Sequence, residues 1–344
     1  MTTPLTCTLV GTVKDEGPYL LEWIIYYKHI GFSQIVIASN DCSDGTHEML
    51  DYLHQTGEIT HIENSDQPEG AHPDPQNRAY QRAWGLDAVK RSDWVLVADA
   101  DEFLNIHVGD GTMNALLAAL GAKGADLISA PWRVFGNAGI AQFHDEPVIA
   151  QFDRCAKPGV QEIQRYTAFK TLFRPKYVGR LGVHRPKLKP RFRDGLRPCQ
   201  WVNGSGERLA TRYLNQGWRF FEESYGAGLV SMNHYMIKSS EAFLMKRYRG
   251  TANSADAERI DFSYFETFNA NDVRDTSIQR HVPAVCEALV RLKSAHPALA
   301  RLHDSSLAFH RQRLGVARKS IQDDAPLIAA KLGIQEKRAG RHET

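Results

Sequence analysis

Asp99-Ala100-Asp101 stands directly behind the apolar run WVLVA at 94–98. Carboxylates two residues apart point to the same side of an extended chain. At the end of a buried strand such a pair can hold one hard divalent cation, because Mg²⁺ and Mn²⁺ take oxygen ligands and share them with substrate phosphates. A bare acid-x-acid triplet is also an ordinary solvated loop, so its place behind the strand carries the weight. Two more polar clusters follow apolar runs in the same way: Lys14-Asp15-Glu16 and Asn40-Asp41-Cys42-Ser43-Asp44. Asp41 can accept from a nucleobase imide, although DCSDGT at 41–46 equally reads as a turn with an N-cap. Glu16 contacts a ribose or base, or it favours the start of a helix near Pro18.

Later residues extend the list. His234 follows GLVSM at 228–232, a strand-like run, so it too stands at a strand end. There an imidazole serves a metal or a buried hydrogen bond equally well. Lys246, Arg247 and Arg249 lie in KRYRG and suit either a diphosphate or the solvated end of a helix.

The elements that must position these groups alternate over the first 135 residues. Strand-like runs at 7–13, 34–38, 59–62, 94–98 and 125–132 are interleaved with helical spacing at 18–30, 43–53 and 74–90. That alternation predicts an α/β fold with a mostly parallel sheet flanked by helices. Ligands of such sheets bind outside the carboxyl ends of the strands, which puts the three acidic clusters on one rim. Residues 135–228 are rich in aromatics, Gly and Pro. Within them, 174–197 carry a net charge of +8, read as a solvated loop, an anion-receiving surface or a lid. Residues 239–250 read as a helix, and 281–332 as two or three helices broken near Pro297 and Pro326. The expected organisation is a nucleotide-binding α/β half at 1–135, an acceptor and lid part of the same domain at 136–280, and a helical C-terminal extension at 281–344.

Composition narrows the function classes. Lys plus Arg number 42 and Asp plus Glu 40, a net charge of +2, so a dedicated nucleic-acid binder is not expected. No apolar run reaches the roughly 18 residues of a membrane helix. Five scattered cysteines without a CxxC pair argue against a zinc knuckle and suit a reducing compartment. The expected location is cytoplasmic, with peripheral membrane association open.

VKDEGPYLLEWIIYYKHIGF (13–32), ASNDCSDGT (38–46), DWVLVADADEFL (93–104) and NHYMIKSSEAFLMKRYRG (233–250) together resemble a family 2 glycosyltransferase of the GT-A fold, in the bacterial subgroup similar to family 92. The resemblance implies a Rossmann-like GT-A domain and a metal-dependent, inverting transfer of sugar from a UDP-sugar to a hydroxyl acceptor. It implies Mn²⁺ or Mg²⁺ as cofactor, and a glycan, lipid-linked or small-molecule acceptor, as in surface polysaccharide or glycan synthesis. Thr12, Glu16 and Asp41 would then hold the uridine, and Asp99 the ribose or metal. Asp101 and His234 would hold the metal, and Lys246, Arg247 and Arg249 the diphosphate. The acid–Asp catalytic pair usual in family 2 has no obvious copy here. Candidates for the base that takes the acceptor proton are Glu223 and Asp275, beside Glu222, Asp272 and Asp194. The rival functions are a nucleotidyltransferase and a non-catalytic nucleotide- or sugar-binding protein. The Gly-poor, acidic stretch after the first strand argues against the former, which needs a phosphate cradle there.

Overall fold

The computed structural model describes residues 5–159, 164–249 and 261–334. In chain order the strands are β1 (Cys7–Val13), β2 (Gln34–Ser39), β3 (Thr60–Glu63), β4 (Trp94–Val97), β5 (Glu102–Ile106), β6 (Leu127–Val134), β7 (Arg154–Cys155), β8 (Phe169–Phe173), β9 (Val178–Arg180), β10 (Lys187–Leu188), β11 (Trp201–Val202), β12 (Val230–His234) and β13 (Val273–Arg274). The helices are α1 (Gly17–His29), α2 (Thr46–Gln55), α3 (Pro75–Gly85), α4 (Asp87–Lys90), α5 (Met113–Ala122), α6 (Val148–Gln151), α7 (Pro190–Arg193), α8 (Ser240–Arg249), α9 (Phe262–Phe268), α10 (Val282–Ala295), α11 (Pro297–Asp324) and α12 (Pro326–Lys331).

Among the described residues one nine-stranded sheet runs in the order β3-β2-β1-β4-β8-β6-β12-β5, with β11 paired to β6. β3, β2, β1 and β4 are mutually parallel. β8 runs against both β4 and β6, so β6 points the same way as β4. β12 is parallel to β6, while β5 is antiparallel to β12. The strands β1, β2, β3, β4, β6 and β12 therefore open their carboxyl ends onto one rim. The expected α/β fold is present, and strands from both sides of residue 135 share the sheet. The predicted helix at 74–90 is two helices, α3 and α4, parted at the extended Leu86.

α1 is apolar nearly all round because it is covered on both sides. Trp23 and Tyr27 face the sheet and donate to the Glu102 carbonyl, each at 3.0 Å. Outward it packs on α10 and α11. Gly11 in β1 admits this packing, since a Cβ there would lie 2.7 Å from the Trp23 ring. The other sheet face is covered by α3 and by the segment carrying β9, β10 and α7, around Tyr80, Phe169, Tyr177 and Trp201. The +8 segment is therefore partly packed: the Arg174 guanidinium lies over Trp94, and Arg185 is buried over Trp201. Among the described residues, no helix is long and apolar enough to cross a membrane.

One buried acid ties α1 to the segment beyond β6. Glu22 accepts from the Val148 and Ile149 N–H groups at 2.7 and 3.1 Å, which satisfies the N-terminus of α6. Burial pushes its carboxyl up to about 7, against the pull of those two bonds and Lys238. A raised folded-state pKa means stability is fully present below the unfolded value of 4.5 and is lost as pH rises through 7. Glu22→Gln mimics the protonated form. Denaturant melts should show wild type losing of the order of 3 kcal/mol relative to this variant between pH 4.5 and 7.5. Parallel pH profiles for the two proteins would contradict the assignment.

Candidate functional site

The rim carries backbone conformations that side chains seldom adopt. Asp15, Asp41, Ala138 and Lys238 have φ between 50° and 57°, and they follow β1, β2, β6 and β12 respectively. Such conformations cost of order 1–3 kcal/mol each and persist where surrounding contacts hold them. Asp15 is held by Ser43, whose N–H donates to its carboxylate at 2.6 Å, which bridges the first two rim loops. Asp44 joins the same loops: its carboxylate accepts from the Gly17 N–H at 2.9 Å and from the Thr46 N–H at 2.9 Å. Asp44 thus satisfies the first N–H of both α1 and α2, while Gly45, in the left-handed conformation, takes the N-cap position of α2.

Behind β4 the acids gather with cations. Lys170 on β8 is fully buried, and its ammonium lies 2.9 Å from Asp99 Oδ2 and 3.0 Å from Glu102 Oε2. Burial alone would lower this lysine, but Asp99 and Glu102 outweigh that and hold it raised. Gln76 donates to Asp99 Oδ1 at 3.3 Å, and Glu102 Oε2 accepts from the Asp99 N–H at 2.9 Å. The Lys246 ammonium donates to Asp101 Oδ2 at 2.9 Å and to the Met236 carbonyl at 3.1 Å. His234 Nε2 lies 3.3 Å from Asp101 Oδ1. Burial opposes ionisation of Asp101, yet Lys246 and His234 hold its carboxyl well below the usual carboxylate range. Glu16, at the N-cap of α1, adds to the field that raises Lys246.

An aromatic row runs on from these acids. Trp132 donates through Nε1 to Glu102 Oε1 at 2.8 Å, and its ring lies 4.3 Å from that of His234. His184 follows at 5.3 Å and stacks on Trp218 at 4.6 Å. Burial, with Lys170 nearby, pushes His184 down to about 3, so it is neutral at physiological pH. The row ends at a cleft of about 910 Å³ lined by Trp84, Arg180, His184, Lys187 and Trp218, among others. On the other side of the acids, a narrow hollow is walled by Asp15, Tyr19, Lys238, Lys246, His310 and Arg313.

The structure brings together Glu16, Asp99, Asp101, His234 and Lys246 from the expected residues. Thr12 is buried at the end of β1. Asp41 is exposed at the next rim loop, where its N–H donates to Ser65 Oγ at 3.0 Å. Arg247 lies apart, in a groove with Leu244, Tyr248 and Asp324. The Arg249 side chain is outside the described residues.

The two expected bases stand elsewhere. Glu223 is exposed and paired with Arg212 at 2.8 Å, beside a surface groove with Asn203 and Arg208. Asp275 accepts from Ser277 and lies 3.4 Å from Arg133. Arg133 is the neighbour of Trp132 on β6, so strand alternation puts it on the opposite sheet face from the Trp132–Glu102–His234 contacts. Sequence reasoning missed Lys170; Glu102 stood in it only as the last residue of the acidic cluster at 99–102, and Trp132 only as an aromatic able to stack on a sugar. It also gave no role to α11, which supplies Phe309, His310 and Arg313 to the hollow.

Three acids and two ammoniums in one largely buried cluster make each partner costly to remove. Lys170→Met leaves Asp99 and Glu102 facing each other and should lower stability by about 3–5 kcal/mol. Adding Glu102→Gln should restore part of that loss. Chemical denaturation of the single and double variants checks both, and an unchanged melt for Lys170→Met would remove the cluster from its structural role.

A family model described as Glycosyltransferase family 92 matches residues 7–194. None of the curated proteins matches the chain. A solved mycobacterial protein superposes with a TM-score of 0.26 at 17% identity, over 38% of this chain and 41% of that one. S. aureus TarS gives a TM-score of 0.31 at 11% identity, over 76% of this chain and 43% of that one. The chain therefore spans less than half the length of either structure.

Proposed function

The chain belongs to glycosyltransferase family 92, and from that premise we propose that it moves a sugar from a nucleoside diphosphate sugar, a UDP-sugar, to a hydroxyl acceptor with inversion. The observation that carries this reading is the meeting of Asp99, Asp101, His234 and Lys246 at the common carboxyl rim of the parallel strands. In this reading the nucleotide lies across the loops after β1, β2 and β4, against Thr12, Glu16 and Asp41. Its diphosphate meets Lys246. The acceptor enters from the cleft beside His184, where exposed Arg180 and Lys187 favour an anionic or strongly polar glycan.

Glycosyl transfer passes through an oxocarbenium-like state while negative charge grows on the leaving diphosphate. Fixed positive charge next to that oxygen lowers the barrier most, because it needs no reorganisation. Lys246 is such a charge, steadied by Asp101 and the Met236 carbonyl. The donor types, two carboxylates and an imidazole, suit a divalent cation, but as placed here their ligand atoms do not all come within 4.8 Å of one another. Asp99, Asp101 and His234 would hold Mn²⁺ or Mg²⁺, which would neutralise the leaving group. A second reading rests on the same distances. Lys170 and Lys246 already balance Asp99 and Asp101, which favours a reaction that runs on lysine charge without a metal.

A panel of UDP-sugars, assayed by UDP release, tests the proposal. Asp101→Asn should lower kcat by ~10²–10³-fold with the circular dichroism spectrum unchanged. Turnover at the wild-type rate would remove Asp101 from the reaction. Chelation with EDTA separates the two readings. Activity lost and restored by Mn²⁺ supports the metal, and activity retained supports the lysines.

A further inference from the structure

A second cluster of ligating side chains lies at the outer edge of the sheet, on α2 and β3, and the proposed transfer does not use it. His47 and Asp51 are one turn apart on α2, and His61 stands in the middle of β3. One ligand atom from each of these residues lies within 4.8 Å of the other two. His61 Nδ1 is 2.7 Å from Asp51 Oδ1, and His47 Nε2 is 3.1 Å from Asp51 Oδ2. The remaining ring nitrogens have other partners. His61 Nε2 is 2.8 Å from Ser39 Oγ, and His47 Nδ1 is 2.9 Å from Glu63 Oε2. The His61 side chain is 2% exposed and that of Asp51 46%, so the cluster is anchored inside and open outside.

We propose that His47, Asp51 and His61 form a binding site for one divalent transition metal ion of the Zn²⁺ type, with an open outward position. Two imidazoles and one carboxylate are the donors Zn²⁺ prefers, whereas Mg²⁺ and Ca²⁺ take oxygens. Bonds of 2.0–2.1 Å in tetrahedral geometry separate ligand atoms by roughly 3.3 Å, close to the spacings between Asp51 and the two rings. The outer nitrogens are held as in metal-binding histidines, which donate their second N–H to a carboxylate or other acceptor. With those N–H groups turned to Ser39 and Glu63, two imidazole lone pairs and a carboxylate converge. A positive centre relieves that convergence.

The position gives the ion a structural consequence. Ser39 ends β2 and leads into Asn40-Asp41, and His47 follows the last residue of DCSDGT. An ion on His47 and His61 fixes both ends of the second rim loop from behind.

The test uses the full chain without a histidine tag, stripped with chelator. Zn²⁺ is titrated by calorimetry, and Co²⁺ is followed by its visible absorption. The expected result is one equivalent of Zn²⁺ that persists in Asp101→Asn, and a Co²⁺ spectrum of low coordination number for that equivalent. His47→Gln and Asp51→Asn alter half-exposed side chains and should each weaken binding by ~100-fold or more. Asp101→Asn should leave the equivalent in place, which separates this site from the acids behind β4. The inference is overturned if wild type binds no equivalent, if binding survives in both His47→Gln and Asp51→Asn, or if it is lost in Asp101→Asn.

Discussion

Lys170 carries an ammonium with no exposed surface, and Asp99 and Glu102 are the acids that let it stay there. An unpaired charge at that depth would cost several kcal/mol. The three groups thus fix one another, and much of the rim is built outward from them. Glu102 also accepts from the Trp132 indole, while its backbone carbonyl takes Trp23 and Tyr27 of α1. One residue therefore joins the acids to the sheet, to the main helix on its face and to the aromatic row leading outward. A pair that only bound substrate would not need so many structural partners. Here the charge arrangement and the packing are the same set of contacts.

The rim itself follows from strand direction. β8 intervenes between β4 and β6 with opposite sense, and so returns β6 and β12 to the direction of β1. Without that reversal His234 would end far from Asp101. Among the described residues, the four non-glycine residues with positive φ lie just past strands that point toward this rim. Backbone cost is concentrated where the loops must turn sharply above the sheet, and side-chain bonds such as Ser43 to Asp15 hold it in place.

The parallel half was legible because its strands are short apolar runs separated by helical spacing, and each decision is local. His234 and Lys246 were legible as residues at the ends of recognisable elements. Lys170 was not. In FKTLF a lysine reads as the polar position of an alternating strand, and its acids lie about 70 residues earlier. β5 went unassigned for a similar reason: its partner β12 lies more than 120 residues further on. Glu223 and Asp275 show what sequence position leaves open. Both are acids near suitable elements, but a sequence does not say on which side of a sheet a residue falls. In the structure Asp275 lies beside Arg133, and Glu223 pairs with Arg212.

α11 is 28 residues long, so it spans roughly 42 Å. It crosses α1, α2 and α8, and from it Phe309, His310 and Arg313 close one side of the hollow beside Lys246. The family model ends at residue 194, well before this helix. The carboxylates and the wall opposite them thus come from parts of the chain more than 100 residues apart. A substitution on the inner face of α11 reshapes the hollow without touching an acid. The shape of the hollow and the placement of the acids can in that sense be altered independently of one another.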